Sequence, residues 1–198
     1  MTPGPAKQFD QSQALQRAME LFWSQGFEAT SLPDLTRVMG IGRQSLYNTF
    51  GDKKALFRDA LLLYMEERAA TAREILDRPG SPLGNLRDMI LTFRERSRAQ
   101  GHCGCFLGNS VAEFGAADPE IKEILDRYVN LLRGGIRRTL QAAQDAGEIA
   151  PDLDPEKLAA VLLTLFQGAA LISKTRPDDD FLDGAFETAF ALMRRTTP

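Results

Sequence analysis

Apolar residues recur at spacings of three and four along almost the whole chain, and no run alternates apolar with polar positions between turn signals. That periodicity predicts helices and no sheet. A first helix is predicted from about Asp10 to Gln25, with Ala14, Ala18, Leu21 and Phe22 on one face. Gly26 suits the left-handed position that ends it, and Phe27 can fold back onto the apolar stripe. Ser31 reads as the N-cap of a second helix, with Pro33 in its first turn and Asp34 completing a capping-box-like S-x-x-D. Gly40 stops this helix after Leu35, Val38 and Met39, and Ile41-Gly42 makes a tight turn into a third, two-turn helix from Arg43 to Thr49. Gly51-Asp52 ends that helix and caps a long fourth from Lys53 to about Asp77. Beyond the break Arg78-Pro79-Gly80-Ser81-Pro82, helices are predicted over about Leu83–Ala99, Cys105–Phe114, Pro119–Ala146, Pro155–Thr175 and Asp179–Arg194. The expected fold class is all-α with about nine helices. A three-helix helix-turn-helix domain spans residues 1–52, and a larger helical regulatory and dimerisation domain spans 53–198, with helix 53–77 as connector.

Two-turn helices are unstable alone in water and must be held by packing. The third helix offers Leu46 and Phe50, at i and i+4, as its inward pair. Gln44, Tyr47 and Asn48 then lie on the opposite face, with Arg43 and Ser45 at the exposed N-terminal end. Arg and Gln or Asn side chains can pair with guanine and adenine edges in the major groove, while Ser and Tyr hydroxyls can bond phosphate oxygens. Lys53, opening the fourth helix, would bring an ammonium beside that groove, where helix N-terminal amides can also face a phosphate.

Composition adds one correction to this picture. The net charge is −3, which taken alone argues against nucleic acid, but residues 1–58 carry seven basic and five acidic side chains, leaving −5 on the remainder. A basic strip on an acidic body is a fitting electrostatic footprint. Enzyme signatures are missing: the single His, with no G-x-S-x-G elbow, phosphate-binding glycine loop or spaced metal cluster, implies no catalytic residues, no cofactor and no metal. No stretch approaches the roughly 20 uninterrupted apolar residues of a membrane span, and Met1 to Ala6 lack the regions of a signal peptide. No membrane partner is expected, and the expected location is cytoplasmic.

The segment Ala18-Met19-Glu20-Leu21-Phe22-Trp23-Ser24-Gln25-Gly26-Phe27-Glu28-Ala29-Thr30-Ser31, followed by Met39-Gly40-Ile41-Gly42 and by Ser45 to Leu56 (SLYNTFGDKKAL), resembles the DNA-binding domain of TetR-family regulators. The resemblance is specific over about residues 10–60 and architectural beyond them. It implies a transcriptional regulator, a repressor by preference, that binds double-stranded operator DNA as a homodimer. By residue matching, Tyr47, Thr49 and Lys53 occupy positions that in the family touch the DNA backbone or groove. Arg43, Gln44, Ser45 and Asn48 occupy its variable reading positions, and Thr30 and Ser31 sit where the start of the second helix meets phosphate. The chain departs from the pattern at Gly42, where a capping Ser or Thr is common, and at Thr49, which replaces a frequent His.

The resemblance also implies that the last two long helices, at 155–175 and 179–194, pair with their mates across the dimer. The first is apolar around most of its circumference, and the second carries Phe181, Leu182, Ala185, Phe186, Ala189, Phe190 and Met193. Both would equally suit a closed core. Family members commonly hold an inducer in the second domain, and Phe93, Phe106, Phe114, Phe166 and Gly168 are candidate linings, with plain core packing as the other reading. The stretch Gly101-His102-Cys103-Gly104-Cys105-Phe106-Leu107-Gly108-Asn109 combines the only His with both cysteines. Its Gly-Cys-Phe-Leu-Gly-Asn resembles a segment of one TetR branch in which the cysteine matching Cys105 can respond to electrophiles or oxidants. A helix N-terminus would favour the Cys105 thiolate. A buried small apolar residue and a metal site formed by His102, Cys103 and Cys105 stay open beside it. Against the sensing regulator stands a helical architectural DNA-binding protein, or an activator, without ligand sensing.

Overall fold

The structure, a computed structural model, describes residues 9–175 and 181–194. Among them the chain forms α1 (Gln11–Gln25), α2 (Leu32–Met39), α3 (Arg43–Phe50), α4 (Lys53–Leu76), α5 (Pro82–Ala99), α6 (Phe106–Phe114), α7 (Pro119–Asp145), α8 (Pro155–Ile172) and α9 (Phe181–Met193). Local chemistry sets most of these ends. Asp10 caps α1 by accepting from the Gln13 amide, Asp118 and Asp154 do the same for α7 and α8, and Pro follows directly as the first helical residue of both, where its missing N–H costs nothing. Gly40 ends α2 in the left-handed conformation at φ 69°, which a side chain rarely adopts. Positions 179 and 180 of the predicted last helix lie outside the described residues, as do the side chains of Phe181 and Leu182.

The chain divides into two compact units, residues 1–64 and 65–198. The first unit therefore holds α1 to α3 and the beginning of α4, so the boundary lies inside α4, later than the division expected before Lys53. The reason is packing: Leu56, Phe57, Ala60 and Leu61 are all fully buried in the first unit. At its centre the Phe57 ring meets Phe22 edge-on at 5.1 Å and Phe27 at 5.2 Å, and Trp23 meets Tyr64 at 5.3 Å. Such contacts add to the area term because ring edges face ring faces. Leu35 of α2 and Leu46 of α3 are completely covered and lock the two short helices into this core. Phe50, expected inward with Leu46, is only half-buried, with the Phe9 ring 6.4 Å away.

In the second unit α7 packs on α5, α6 and α8, while α8 also meets α5, α6 and α9. Glu148 accepts a hydrogen bond from the Leu83 amide at 2.8 Å, and the Ala150 amide donates to the Met193 carbonyl at 3.1 Å, tying the α7–α8 loop to both ends of the unit. Arg94 pairs with Asp183, and Arg133 with Glu156.

One end stays bare. Gly42 precedes α3 without a side-chain cap, at φ −75° and ψ 156°, and a Cβ built on it meets nothing within 4 Å. Gly42→Ser should therefore fit without strain, supply an acceptor to the first turn and restrict the unfolded chain, raising stability by about 0.5–1 kcal/mol. Trp23 is the sole tryptophan and is buried, so urea unfolding followed by its fluorescence reads the first unit directly; an unchanged midpoint would refute the gain.

Candidate nucleic-acid interface and sensor region

Burying Leu46 turns the other side of α3 outward, so Arg43, Gln44, Tyr47 and Asn48 are all exposed, with Ser45 and Thr49 half-buried at its margins. These side chains engage one another at i and i+4. Gln44 donates to Asn48 at 2.9 Å. The Arg43 guanidinium lies 5.6 Å from the Tyr47 ring centre and reaches the Tyr47 hydroxyl at 3.4 Å. The face is thus ordered, polar and aromatic, and its donors and acceptors suit base edges and phosphates.

The flanking residues divide. Ser31 is exposed at the start of α2, but its hydroxyl donates to Asp34 at 2.5 Å while accepting from the Asp34 amide at 3.2 Å. The Ser31 hydroxyl and then Arg37, at 2.8 Å, hold the Asp34 carboxyl below the usual carboxylate range. Thr30 does not fit the expectation: it is 0% exposed, and its hydroxyl donates to the Gly26 carbonyl at 2.5 Å. It closes the α1–α2 turn from within and is unavailable to a phosphate. Lys53 is half-buried, with its ammonium 4.3 Å from the Phe27 ring centre, a cation–π contact. Asp52 caps α4 by accepting from the Ala55 amide at 2.8 Å, so one of the amides expected to face phosphate already has a partner.

In the second unit the glycine-cysteine loop is shaped by close approach. Gly104 has φ 71°, and a Cβ there would stand 2.8 Å from the Ala170 carbonyl of α8. The Gly104 amide donates to Ser97 at 3.0 Å, and Asn109 donates to the Cys103 carbonyl at 2.8 Å while accepting from Lys174 at 3.2 Å. Cys103 is half-buried, and burial pushes its thiol up against the opposing pull of Lys174. Cys105 stands at the N-cap of α6, buried at 7% exposure and giving the helix no side-chain cap. Among the described residues, no group of three or more His, Cys, Asp or Glu is placed to hold a metal ion.

The predicted phenylalanines are only partly brought together. Phe93 and Phe166 face each other at 6.0 Å, with the Arg68 guanidinium 5.9 Å from Phe93. Phe106 is buried at the start of α6, whereas Phe114 is half-buried at its far end, about 12 Å away along the axis. Gly168, proposed as a lining, is exposed and meets nothing within 4 Å. Residues missed by sequence reasoning complete the region. Arg68 is a charged residue only 7% exposed. Tyr128 is buried with its ionisation pushed far up by desolvation and by Cys105, against Arg68. The Gln167 amide has neither nitrogen nor oxygen partnered, and its oxygen would stand 2.7 Å from a Cβ on Gly108. That same Cβ would lie 3.8 Å from the Cys105 Cβ, so Gly108 stands between the unpartnered amide and Cys105. A glutamine inside an otherwise apolar helix was the available signal.

Comparison with known proteins agrees with this geometry. Residues 14–60 match the family described as bacterial regulatory proteins, tetR family, and residues 79–189 match the tetracyclin repressor-like C-terminal domain. The uncharacterized HTH-type transcriptional regulator YezE of Bacillus subtilis is 34% identical over 96% of this chain and 99% of its own. The HTH-type transcriptional repressor ComR of Escherichia coli is 30% identical over 86% of this chain and 82% of its own. Among solved structures, a cysteine mutant of the regulator CifR in complex with 26-bp double-strand operator DNA superposes with a TM-score of 0.80 at 28% identity, covering 96% of this chain and 100% of that one.

Proposed function

The chain belongs to the TetR family of bacterial regulatory proteins, which are DNA-binding transcriptional regulators and not enzymes, and from that premise we propose a cytoplasmic homodimeric repressor, held on operator DNA until a small-molecule or thiol-reactive inducer releases it. The observation that carries this reading is the exposed, ordered face of α3, where Arg43, Gln44, Tyr47 and Asn48 stand clear of the core. One such helix makes few base contacts, so two copies are needed about 34 Å apart, or a multiple of that. The dimer surface we assign is α8 with α9. Val161, Thr164, Gly168, Leu171 and Ile172 of α8 are all exposed at helical spacing, and Leu192 of α9 is 78% exposed. That apolar face is what a partner copy would cover.

For release, the position of Cys105 at the α6 N-cap supports a thiol-reactive inducer, and Phe93 and Phe166 with Arg68 over Phe93 support an apolar one. The test uses fluorescence anisotropy on a duplex from the region upstream of the protein's own gene. Binding should weaken steeply with salt, as phosphate contacts require, and Tyr47→Ala should reduce it. N-Ethylmaleimide should then release the wild type but not Cys105→Ser. Equal release of both eliminates the thiol arm, and absence of salt-sensitive binding eliminates the repressor.

A further inference from the structure

The second unit contains a further groove, lined by none of the residues given a role so far. The later half of α4, the turn into α5 and the middle of α7 enclose about 420 Å³, within the range of small-molecule sites. Its floor is apolar: Ala72, Met89 and Leu132 are buried there, and Leu76 and Leu131 continue the lining toward the opening. Gly135 of α7 lines the groove across from Leu76, which a Cβ built there would meet at an ordinary contact distance of 3.8 Å.

The rim is cationic. Arg73 of α4, Arg78 of the turn and Arg138 of α7 converge on the opening, with Asp77 as the one carboxylate in the lining. Arg78 is 4.0 Å from Glu74 in an exposed pair, an arrangement of little strength. Among the described residues, Arg73 and Arg138 lie within ion-pairing distance of no carboxylate. The Arg138 guanidinium lies back over the helix, its nitrogens 3.6 and 4.0 Å from the Cβ positions of Gly134 and Gly135. Two unpaired guanidiniums over an apolar floor run against the local trend, since residues 59–198 carry a net −5. Low-dielectric walls focus such a field on an incoming anion.

We propose that this groove binds a long-chain alkyl carboxylate, with its chain along the Ala72, Met89 and Leu132 floor and its head group between Arg73 and Arg138. A guanidinium presents a planar fork that matches a carboxylate in bidentate fashion. Asp77 at the same rim opposes a doubly charged phosphate head more than a singly charged carboxylate. The groove accounts for chain and charge together: neither a neutral alcohol nor a short anion satisfies both halves.

The test is calorimetry on the full chain without DNA, using dodecanoate below its micelle concentration, so that its outcome is independent of the repressor reading. One molecule should bind per chain. Decanoate should bind roughly fifteen-fold more weakly, because each buried methylene contributes about 0.8 kcal/mol, and dodecanol at least ten-fold more weakly. Arg138→Gln and Arg73→Gln should each weaken dodecanoate at least ten-fold while leaving the unfolding midpoint in place, since both side chains are exposed. Gly135→Leu should abolish binding by filling the groove. Equal affinity for dodecanoate and dodecanol, or unchanged affinity in both arginine variants, overturns the site. Tighter binding of dodecyl phosphate than of dodecanoate overturns the carboxylate assignment.

Discussion

Arg43→Ala should weaken binding to the upstream operator by about thirty-fold to about twenty thousand-fold while leaving binding to a scrambled duplex nearly unchanged. A bidentate arginine contact to guanine is worth about 1–3 kcal/mol. A symmetric dimer makes the contact in both half-sites, so the loss is about 2–6 kcal/mol, at roughly 1.4 kcal/mol per factor of ten. Arg43 is exposed, and its hydrogen bond and cation–π contact among the described residues are both with Tyr47 of the same helix, so the fold should survive its removal. Lys53→Ala makes the contrasting case. If its ammonium leaves the Phe27 ring for a phosphate, that contact is blind to sequence, so this variant should lose affinity evenly on both duplexes and reduce the salt slope by about one per half-site. Anisotropy titrations of both duplexes across a salt series separate the two behaviours. If Arg43→Ala weakened both equally, the residue would be a backbone contact and the assignment of α3 as the reading helix would fail.

The second large effect lies in the core beneath that helix. Phe57→Ala should destabilise the first unit by about 3–5 kcal/mol, the usual cost of emptying a buried phenylalanine site. Phe57 is fully buried and is the ring on which Phe22 and Phe27 both close, so its removal leaves a cavity that two other rings border. Against a typical total of about 5–15 kcal/mol, that loss removes between a fifth of the stability and all of it. Trp23 fluorescence should then show a melt of the first unit at markedly lower temperature. A shift below about 1 kcal/mol would mean the neighbouring rings collapse into the space.

Helix ends were the most legible part of the sequence, because the signals are local. Gly26, Gly40 and Gly51 stop helices, while Ser31, Asp118 and Asp154 start them, by chemistry contained within a few residues. The exposed face of α3 was legible for a related reason: placing Leu46 inside leaves no other orientation for Gln44, Tyr47 and Asn48. Thr30 was placed by matching it to a family position, which does not carry the turn through Gly26 that takes its side chain inward. Lys53 over Phe27, Arg68 beside Phe93 and Gln167 against Gly108 each depend on two helices meeting, which no spacing within one helix encodes. The length of α4 that belongs to the first unit was hidden for the same reason, since its apolar stripe continues without a break.

Because Gln44 bonds Asn48 and Arg43 lies over Tyr47, these α3 side chains hold partners among themselves before any base arrives. On an unrelated stretch of duplex these side chains can keep one another as partners, so the protein can slide along the phosphates without giving up those contacts. Only a sequence whose base edges offer better partners opens the pairs. Recognition would then appear as a slow departure from the operator rather than a fast arrival at it.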